Sequence, residues 1–234
     1  NTMSGYSNIE FIRSNDSGKT FSPNTVLRGG NTLTFTPQIA TTEKGNVHVV
    51  WVDMSSKTGD TDINIRSSYD DGRTFDDRKR LRSNDLLSFS PQMAATERGE
   101  VYVVWTDRNS TTAESQISFR ASHDGGKTFD RVINLDKDRK NLLKSSSPQL
   151  VVAGNSTVYV VWVDDQIQFK EILINDAIVG NPISLSNRTS SSLSPQVTVA
   201  GNGNAYVFWI DKSSPVDKSI HIKKISEYSF YRHS

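Results

Sequence analysis

Short runs of β-branched and aromatic residues recur along the chain, each bounded by turn-forming residues. Four of these runs end in tryptophan, at residues 47–51, 101–105, 158–162 and 205–209. Runs of this length, apolar at nearly every position and flanked by Gly or Asn, predict strands that are covered on both faces. No segment shows a helical period over three turns. The pattern therefore predicts an all-β chain.

A longer pattern repeats around these runs. The tripeptide Ser/Thr-Pro-Gln occurs four times, a Trp follows fourteen residues after each of its prolines, and an Asp follows two residues after each Trp. The prolines are Pro37, Pro91, Pro148 and Pro195, and the aspartates are Asp53, Asp107, Asp164 and Asp211. Self-similarity at a spacing of about 40–55 residues is typical of repeat architectures built from one small unit.

A second motif, Ser-x-Asp-x-Gly-x-Thr-Phe, occurs three times. Asp can accept hydrogen bonds from the amides ahead of it, and Gly tolerates the positive φ of a tight turn, so the motif predicts a turn between two strands. The Phe is predicted to be a buried anchor. The three copies are Ser14, Asp16, Gly18, Thr20 and Phe21; Ser68, Asp70, Gly72, Thr74 and Phe75; and Ser122, Asp124, Gly126, Thr128 and Phe129.

Five strands end in an apolar residue followed by a base. Three of them lead into this turn, and a short strand ending in Leu follows each of the three. The pairs are Ile12-Arg13, Ile65-Arg66, Phe119-Arg120, Phe169-Lys170 and Ile222-Lys223. Each unit thus contains four short strands, which predicts a β-propeller of four-stranded antiparallel blades. We expect residues 1–234 to form one propeller domain, with a half blade at 8–27 and units at 36–82, 90–135, 147–185 and 194–226. The closure of the ring is left open.

The turn motif resembles the Asp-box, or BNR repeat, of sialidase-like β-propellers. The match holds at all five defining positions in three units, whereas residues 168–175 of the fourth unit have no such turn. The resemblance implies a secreted or cell-surface propeller in which these turns lie on the surface, away from any active site. Asp16, Asp70 and Asp124 are accordingly interpreted as turn formers.

A sialidase of this family is implied to have six blades, three arginines that bind the substrate carboxylate, a Tyr–Glu nucleophile pair and an acid/base Asp. Its first arginine lies in an Arg-Ile-Pro motif, which this sequence lacks. Arg13, Arg66 and Arg120 recur in successive units, which favours a structural role. Six blades would also require about 300 residues. We therefore predict no catalytic residue, with a sialidase-like glycoside hydrolase as the alternative.

The aspartates that follow the tryptophans are predicted to form a ring at one mouth of the central channel of the propeller. Asp53, Asp107, Asp164 and Asp211 would cap strand ends by accepting amides of the next loop. The alternative is a Ca²⁺ or Na⁺ site, because like charges held close together call for a cation. The tryptophans are predicted to be core residues. The role of these aspartates as strand-end caps is favoured over a cation site, so no cofactor is predicted.

Composition excludes several classes of function. The chain has 27 Lys and Arg against 26 Asp and Glu, for a formal net charge of +1, and no Cys. Interspersed charges argue against a nucleic-acid surface, and the absence of a long apolar run argues against a membrane span. Asn-x-Ser/Thr sequons occur at Asn15, Asn109, Asn155 and Asn187, about as often as chance gives in so Asn- and Ser-rich a sequence.

The leading hypothesis is an extracellular or cell-surface propeller that binds a glycan or a protein partner without catalysis. Its binding surface would be the loops after each Trp-x-Asp, at 54–61, 108–115, 165–166 and 212–218, because loops on a rigid frame carry function and these differ between units. A structural component of a cell-surface layer or filament, assembled by self-association, is the third hypothesis.

Overall fold

The computed structural model describes residues 6–30, 32–82, 86–136, 145–154, 157–173, 178–179, 181–187, 191–212 and 218–226. Within these residues the chain is all-β, as predicted, and has no helix. No helix in this part of the chain could therefore cross a membrane. The predicted sequon at Asn155 lies outside the described residues.

Every sheet is antiparallel, and the strands fall into five consecutive sheets along the chain. Blade 1 has strands β1 and β2, blade 2 β3–β6, blade 3 β7–β10, blade 4 β11–β15 and blade 5 β16–β18. The strands are β1 (Ile9–Phe11), β2 (Thr25–Arg28), β3 (Thr32–Thr41), β4 (Val47–Ser55), β5 (Thr61–Ser68), β6 (Lys79–Arg80), β7 (Leu86–Ala95), β8 (Val101–Asn109), β9 (Ser115–Ser122), β10 (Ile133–Asn134), β11 (Ser146–Ala153), β12 (Thr157–Val163), β13 (Ile167–Leu173), β14 (Ile178–Val179), β15 (Ile183–Ser184), β16 (Ser191–Val199), β17 (Ala205–Lys212) and β18 (Lys218–Ile225).

The Ser/Thr-Pro-Gln tripeptide marks a bulge in the first strand of blades 2 to 5. The residue before each proline has a positive φ, and the pairing register with the second strand shifts there, as between Phe35 and Gln38. These residues are Thr36, Ser90, Ser147 and Ser194, with φ between 49° and 53°. A non-Gly residue in this region carries backbone strain, so its recurrence shows that the repeat requires the bulge.

The apolar core lies between blades rather than within one. At the junction of blades 2 and 3, Val50 and Ile65 of blade 2 pack against Val103 and Trp105 of blade 3. The tryptophans Trp51, Trp105, Trp162 and Trp209 are buried at the four successive junctions, as predicted. Burying an indole ring contributes roughly 4–6 kcal/mol, so each blade is stabilised mainly by its neighbours.

A basic side chain on the third strand crosses three of the four junctions. Arg66, Arg120 and Lys170 donate to the main-chain carbonyls of Leu27, Leu81 and Leu135 in the preceding blade, at 3.2, 2.9 and 2.6 Å. The predicted equivalence of Arg13 with Arg66 is wrong. Phe11 pairs with Thr25 as Ile65 pairs with Lys79, so Ile12 takes the place of Arg66. Arg13 donates instead to Asn15 Oδ1 in its own turn.

The two ends of the blade array differ from its interior. Blade 1 has only its outer strands, and blade 5 has three strands among the described residues. Phe75 and Phe129 pack at the junctions before their blades, whereas Phe21 is 60% exposed, so the prediction of a buried anchor is wrong for that copy. The part of the chain that the structure describes shows no pairing between blades 5 and 1.

Candidate functional site at the junction of blades 3 and 4

The Ser-x-Asp-x-Gly-x-Thr-Phe turns form the same hydrogen-bond network in each copy. In blade 3, Ser122 Oγ donates to Asp124 Oδ1 at 2.8 Å, and the amide and hydroxyl of Thr128 donate to the same carboxylate at 2.9 and 2.6 Å. These bonds, led by that of the Thr hydroxyl, lower the pKa of Asp124 to about 2. Equivalent Thr hydroxyl bonds lower the pKa of Asp16 to about 2, and that of Asp70 also falls.

The turns of blades 2 and 3 also dock on the blade before them. A Cβ added at Gly126 would lie 2.9 Å from Ser67 Oγ, and one at Gly72 would lie 2.7 Å from the Phe11 ring. Only glycine fits this close approach together with the positive φ. The carboxylates of these turns are therefore committed to holding the loop against its neighbour.

The aspartates that follow the tryptophans bind side chains rather than the predicted loop amides in most blades. Asp53 accepts from Trp51 Nε1 at 2.7 Å, from Arg28 Nε at 2.9 Å and from Arg78 Nη1 at 2.7 Å. Asp107 is fully buried and accepts from Trp105 Nε1 at 2.8 Å.

Asp107 has three further contacts within and across its blade. The hydroxyls of Ser88 and Ser118 donate to its two oxygens at 2.6 Å each. Arg82 Nε, from the end of blade 2, lies 3.3 Å from Oδ2. The carboxylate therefore ties the first, second and third strands of blade 3 to the preceding blade.

Asp164 and Asp211 have different surroundings. Asp164 Oδ1 accepts the Gln166 amide at 3.2 Å, and Asp211 accepts from Ser192 Oγ and lies 3.5 Å from His221 Nε2. Among the described residues, no three His, Cys, Asp or Glu side chains come close enough to hold a metal ion. The predicted ring thus consists of four separate environments.

In blades 1 to 3, the residue after the last Leu lies near the aspartate that follows the Trp of the next blade. Arg28 and Arg82 place a guanidinium beside Asp53 and Asp107. At the junction of blades 3 and 4 the same position is held by Asp136, which is buried and accepts the Ile117 amide at 3.2 Å. Burial raises the pKa of Asp136, and the negative charge of Asp164 adds to the rise. This junction therefore departs from the repeat.

A pocket of about 440 Å³ opens at the same junction. It is lined by Phe89, Ser90, Thr106, Arg108 and Ser115 of blade 3 and by Ser145, Ser146 and Ser147 of blade 4. The strained residues Ser90 and Ser147 both border it, and Ser145 also lies beside Asp136.

Two small or polar side chains explain why the pocket forms here. Thr106 follows Trp105, whereas Val52, Val163 and Ile210 follow the other tryptophans. Ser146 lies two residues before Pro148, whereas Phe35, Phe89 and Leu193 hold that position in the other units. Val52, the counterpart of Thr106 in blade 2, is instead fully buried in the core between blades 2 and 3.

The pocket has polar groups whose bonding capacity is unused by the protein. Thr106 Oγ1 is buried and has no hydrogen-bond partner among the described residues, which costs about 1–3 kcal/mol. Arg108 is exposed, and within the described ranges it forms no ion pair. A hydroxyl, a guanidinium and several serines around one cavity can bind the hydroxyl and anionic groups of a ligand.

The sequence predicted part of this surface and missed the rest. The predicted rim loop 108–115 begins and ends on residues that line the pocket. Thr106, Ser146 and Asp136 were missed, although aligning the four units position by position reveals each as an exception to the repeat. Of the sequons, Asn15 and Asn187 are exposed, and Asn109 accepts the amides of Thr111 and Thr112 through its side chain.

Sequence comparison assigns no family, since no protein-family model and no curated protein matches the chain. Solved structures do match its fold. The K499G mutant of NanB sialidase from Streptococcus pneumoniae is 13% identical with a TM-score of 0.56, over 86% of this chain and 32% of NanB. The polysaccharide lyase Uly1 is 11% identical with a TM-score of 0.60, over 93% of this chain and 52% of the lyase.

A third structure, a protein of unknown function from Dyadobacter fermentans, is 14% identical with a TM-score of 0.61, over 95% of this chain and 68% of that protein. The chain thus spans about a third of NanB and about half of Uly1. At these identities the likeness establishes the fold, which is shared with a sialidase and a polysaccharide lyase.

Proposed function

We propose that the chain is a single-domain, extracellular or cell-surface propeller of the Asp-box kind that binds carbohydrate at the junction of blades 3 and 4. The observation that carries the proposal is the pocket of about 440 Å³ at the one junction where Thr106, Ser146 and Asp136 break the repeat. Its volume lies within the usual range of about 300–1,000 Å³ for small-molecule sites.

The chemistry of the lining suits a sugar. Serine and threonine hydroxyls both donate and accept hydrogen bonds, as sugar hydroxyls do, and Phe89 adds an apolar wall. The fold likeness to NanB sialidase and to the lyase Uly1 supports a carbohydrate ligand over other small molecules.

Binding is favoured over hydrolysis because of the residue types that face the cavity. A glycosidase needs two carboxyl groups that flank the scissile bond. None of the described lining residues is Asp or Glu, and Asp136 is buried behind Ser145. The sialidase-like hydrolase remains the second candidate, supported by the NanB likeness alone.

The test is a panel of neutral and acidic oligosaccharides titrated by calorimetry into the wild type and Thr106→Val. Valine occupies the equivalent position in two other units, so the variant should fold. We expect binding to weaken about tenfold or more, because valine has nearly the shape of threonine but cannot form the hydrogen bond to the sugar. Removing the unpartnered hydroxyl should also raise the free energy of unfolding by about 1 kcal/mol.

Thr198→Val, at an exposed position of blade 5, is the matched control and should leave affinity unchanged. Equal affinity of the wild type and Thr106→Val for every bound sugar would place binding elsewhere. Release of new reducing ends from any member of the panel, lost in Thr106→Val, would favour the hydrolase.

A further inference from the structure

Two buried donors of blade 4 have no acceptor. Trp162 Nε1 and Ser145 Oγ form no hydrogen bond with any described residue, although Trp162 is fully buried and Ser145 is 1% exposed. Such donors are rare in folded proteins, because each has lost its bonds to water without gaining a partner. Both donors are therefore available to a bound molecule.

The same two donors share one acceptor in blade 3. Ser145 and Trp162 stand three residues before and fourteen residues after their proline, as Ser88 and Trp105 do in blade 3. In that blade both side chains donate to a single oxygen, Asp107 Oδ1, at 2.6 and 2.8 Å. The first and second strands pair in the same register in the two blades, so the donors of blade 4 lie around one position as well.

The aspartate of blade 4 does not fill that position. Asp164 Oδ1 accepts the Gln166 amide at 3.2 Å, in the loop that follows β12. Neither Trp162 Nε1 nor Ser145 Oγ donates to Asp164. Turning the carboxylate towards its own loop thus leaves the two donors without the acceptor that blade 3 provides.

Blades 2 and 5 each retain one of the two bonds. Trp51 Nε1 donates to Asp53 in blade 2, and Ser192 Oγ donates to Asp211 in blade 5. The loss of both bonds is therefore specific to blade 4, at the junction where the pocket opens. Ser145 lines this pocket, so the unfilled acceptor position lies beside it.

The surroundings favour an uncharged oxygen at this position. Asp136, which takes the place of Arg82 in the repeat, lies near the Ser145 hydroxyl without being hydrogen-bonded to it. Burial, and then the nearby charge of Asp164, raise the pKa of Asp136. A carboxylate or sulfate of a ligand would be repelled by these two acidic residues. A hydroxyl, in contrast, can accept from Trp162 and Ser145 and donate to Asp136.

We propose that one hydroxyl of a bound saccharide occupies this position and accepts hydrogen bonds from Trp162 Nε1 and Ser145 Oγ. The inference rests on the carbohydrate site proposed above and adds the chemistry of its ligand, which enters the junction with an uncharged hydroxyl. A site built to hydrogen-bond one hydroxyl discriminates against an analogue that lacks it, because the donors are then left unpaired.

Calorimetric titration of small sugars tests the inference. The probes are the methyl glycosides of glucose, galactose and mannose, with the deoxy analogues that each lack one hydroxyl. We expect one deoxy analogue to bind about tenfold or more weakly than its parent, and Ser145→Ala to weaken the parent by a similar factor. The two losses should not add, because either change removes the same hydrogen bond.

Two results would overturn the inference and leave the proposed function standing. One is full affinity of Ser145→Ala for a parent sugar that Thr106→Val binds weakly. The other is a pair of losses that add. Failure of every methyl glycoside to bind would also overturn the inference, whereas the oligosaccharide panel decides the proposed function.

Ser88→Ala is the matched control, since it removes the same hydroxyl from the same position of blade 3. Ser88 donates within the protein, so its loss should lower the urea midpoint and leave sugar affinity unchanged. Ser145→Ala should do the reverse, because it breaks no hydrogen bond of the described structure. If both variants lowered stability and affinity alike, Ser145 would have a structural role only and the inference would fail.

The indole N–H signals of the four tryptophans give a direct readout in ¹H–¹⁵N spectra. Saturation with the parent sugar should move the Trp162 signal downfield, as a new hydrogen bond does. The signal of Trp105, which already donates to Asp107, should stay in place. Trp162→Phe assigns the signal. An unchanged Trp162 signal at saturation would mean that the sugar does not reach the position, which would refute the inference.

Discussion

The guanidinium of Arg120 crosses the junction between blades 2 and 3 and donates to the Leu81 carbonyl at 2.9 Å. Its other nitrogens donate to the carbonyls of Asp130 and Phe129 in its own blade, at 2.5 and 3.5 Å. One side chain thus satisfies carbonyls on both sides of an apolar junction. Partial burial lowers the pKa of Arg120, and the negative charge of Asp130 opposes this shift.

Replacing Arg120 with Met should destabilise the protein by about 1.5–3 kcal/mol, because it removes charge-assisted hydrogen bonds and leaves partly buried carbonyls without a donor. Urea denaturation measures the change. Arg13→Met is the matched control and should change stability by less than about 0.5 kcal/mol, since the Arg13 side chain bonds Asn15 at the surface and, among the described residues, crosses no junction. Equal effects in the two variants would refute the role of the Arg120 side chain in joining blades 2 and 3.

Asp107→Asn should lower the free energy of unfolding by about 3–5 kcal/mol. The neutral amide cannot balance the charge of Arg82, and it cannot accept every bond that Trp105, Ser88 and Ser118 donate. Thermal unfolding followed by calorimetry checks the loss. Asp77→Asn, at an exposed position, should unfold within a few degrees of the wild type. If Asp107→Asn were as stable as that control, the buried network would not support the blade.

His48 should make stability depend on pH. It is buried on β4 at the position held by Tyr102, Tyr159 and Tyr206 in the other units, and Nδ1 lies 2.9 Å from Ser67 Oγ. Its Nε2 has no hydrogen-bond partner in the described structure. Burial lowers the pKa of His48 to about 4, while the charge of Asp76 raises it and that of Lys79 lowers it.

The unfolded chain takes up this proton near pH 6.5, whereas the folded chain does so near pH 4. Stability is therefore full above pH 6.5, falls as the pH drops towards 4, and loses about 3 kcal/mol from this group. Guanidinium denaturation at pH 7.5, 5.5 and 4.5 measures the slope. His48→Tyr, the residue of the other units, should flatten it, and an unchanged slope would assign the effect to other groups.

Thr128→Val should raise the pKa of Asp124 from about 2 towards the ordinary 3.8, because it removes the hydroxyl bond that lowers this pKa most. Since the folded pKa is depressed, the stabilisation from Asp124 is complete above about pH 4 and is lost as the pH falls through 2. Carboxyl ¹³C chemical shifts report the titration directly. Asp16 should still titrate near 2 in the same variant, and a parallel shift of both groups would indicate a global change.

Local chemistry explains what could be predicted before the structure. The strands ending in Trp51, Trp105, Trp162 and Trp209 follow from short apolar runs, and the turns around Asp16, Asp70 and Asp124 follow from bonds that span four residues. Such features depend on neighbours in sequence, so the repeat alone predicts blades. The mistaken position of Arg13 has the same origin, since one residue fewer separates it from its turn than separates Arg66.

The candidate site depends on contacts between units, which no single unit encodes. Asp136 acquires a raised pKa because folding buries it and brings Asp164 near, and Thr106 borders a cavity because Ser146 of the next blade is small. Sequence determined the blades, since strand and turn preferences act over a few residues. The tertiary structure alone decided which junction is open, because burial depends on the neighbouring blade.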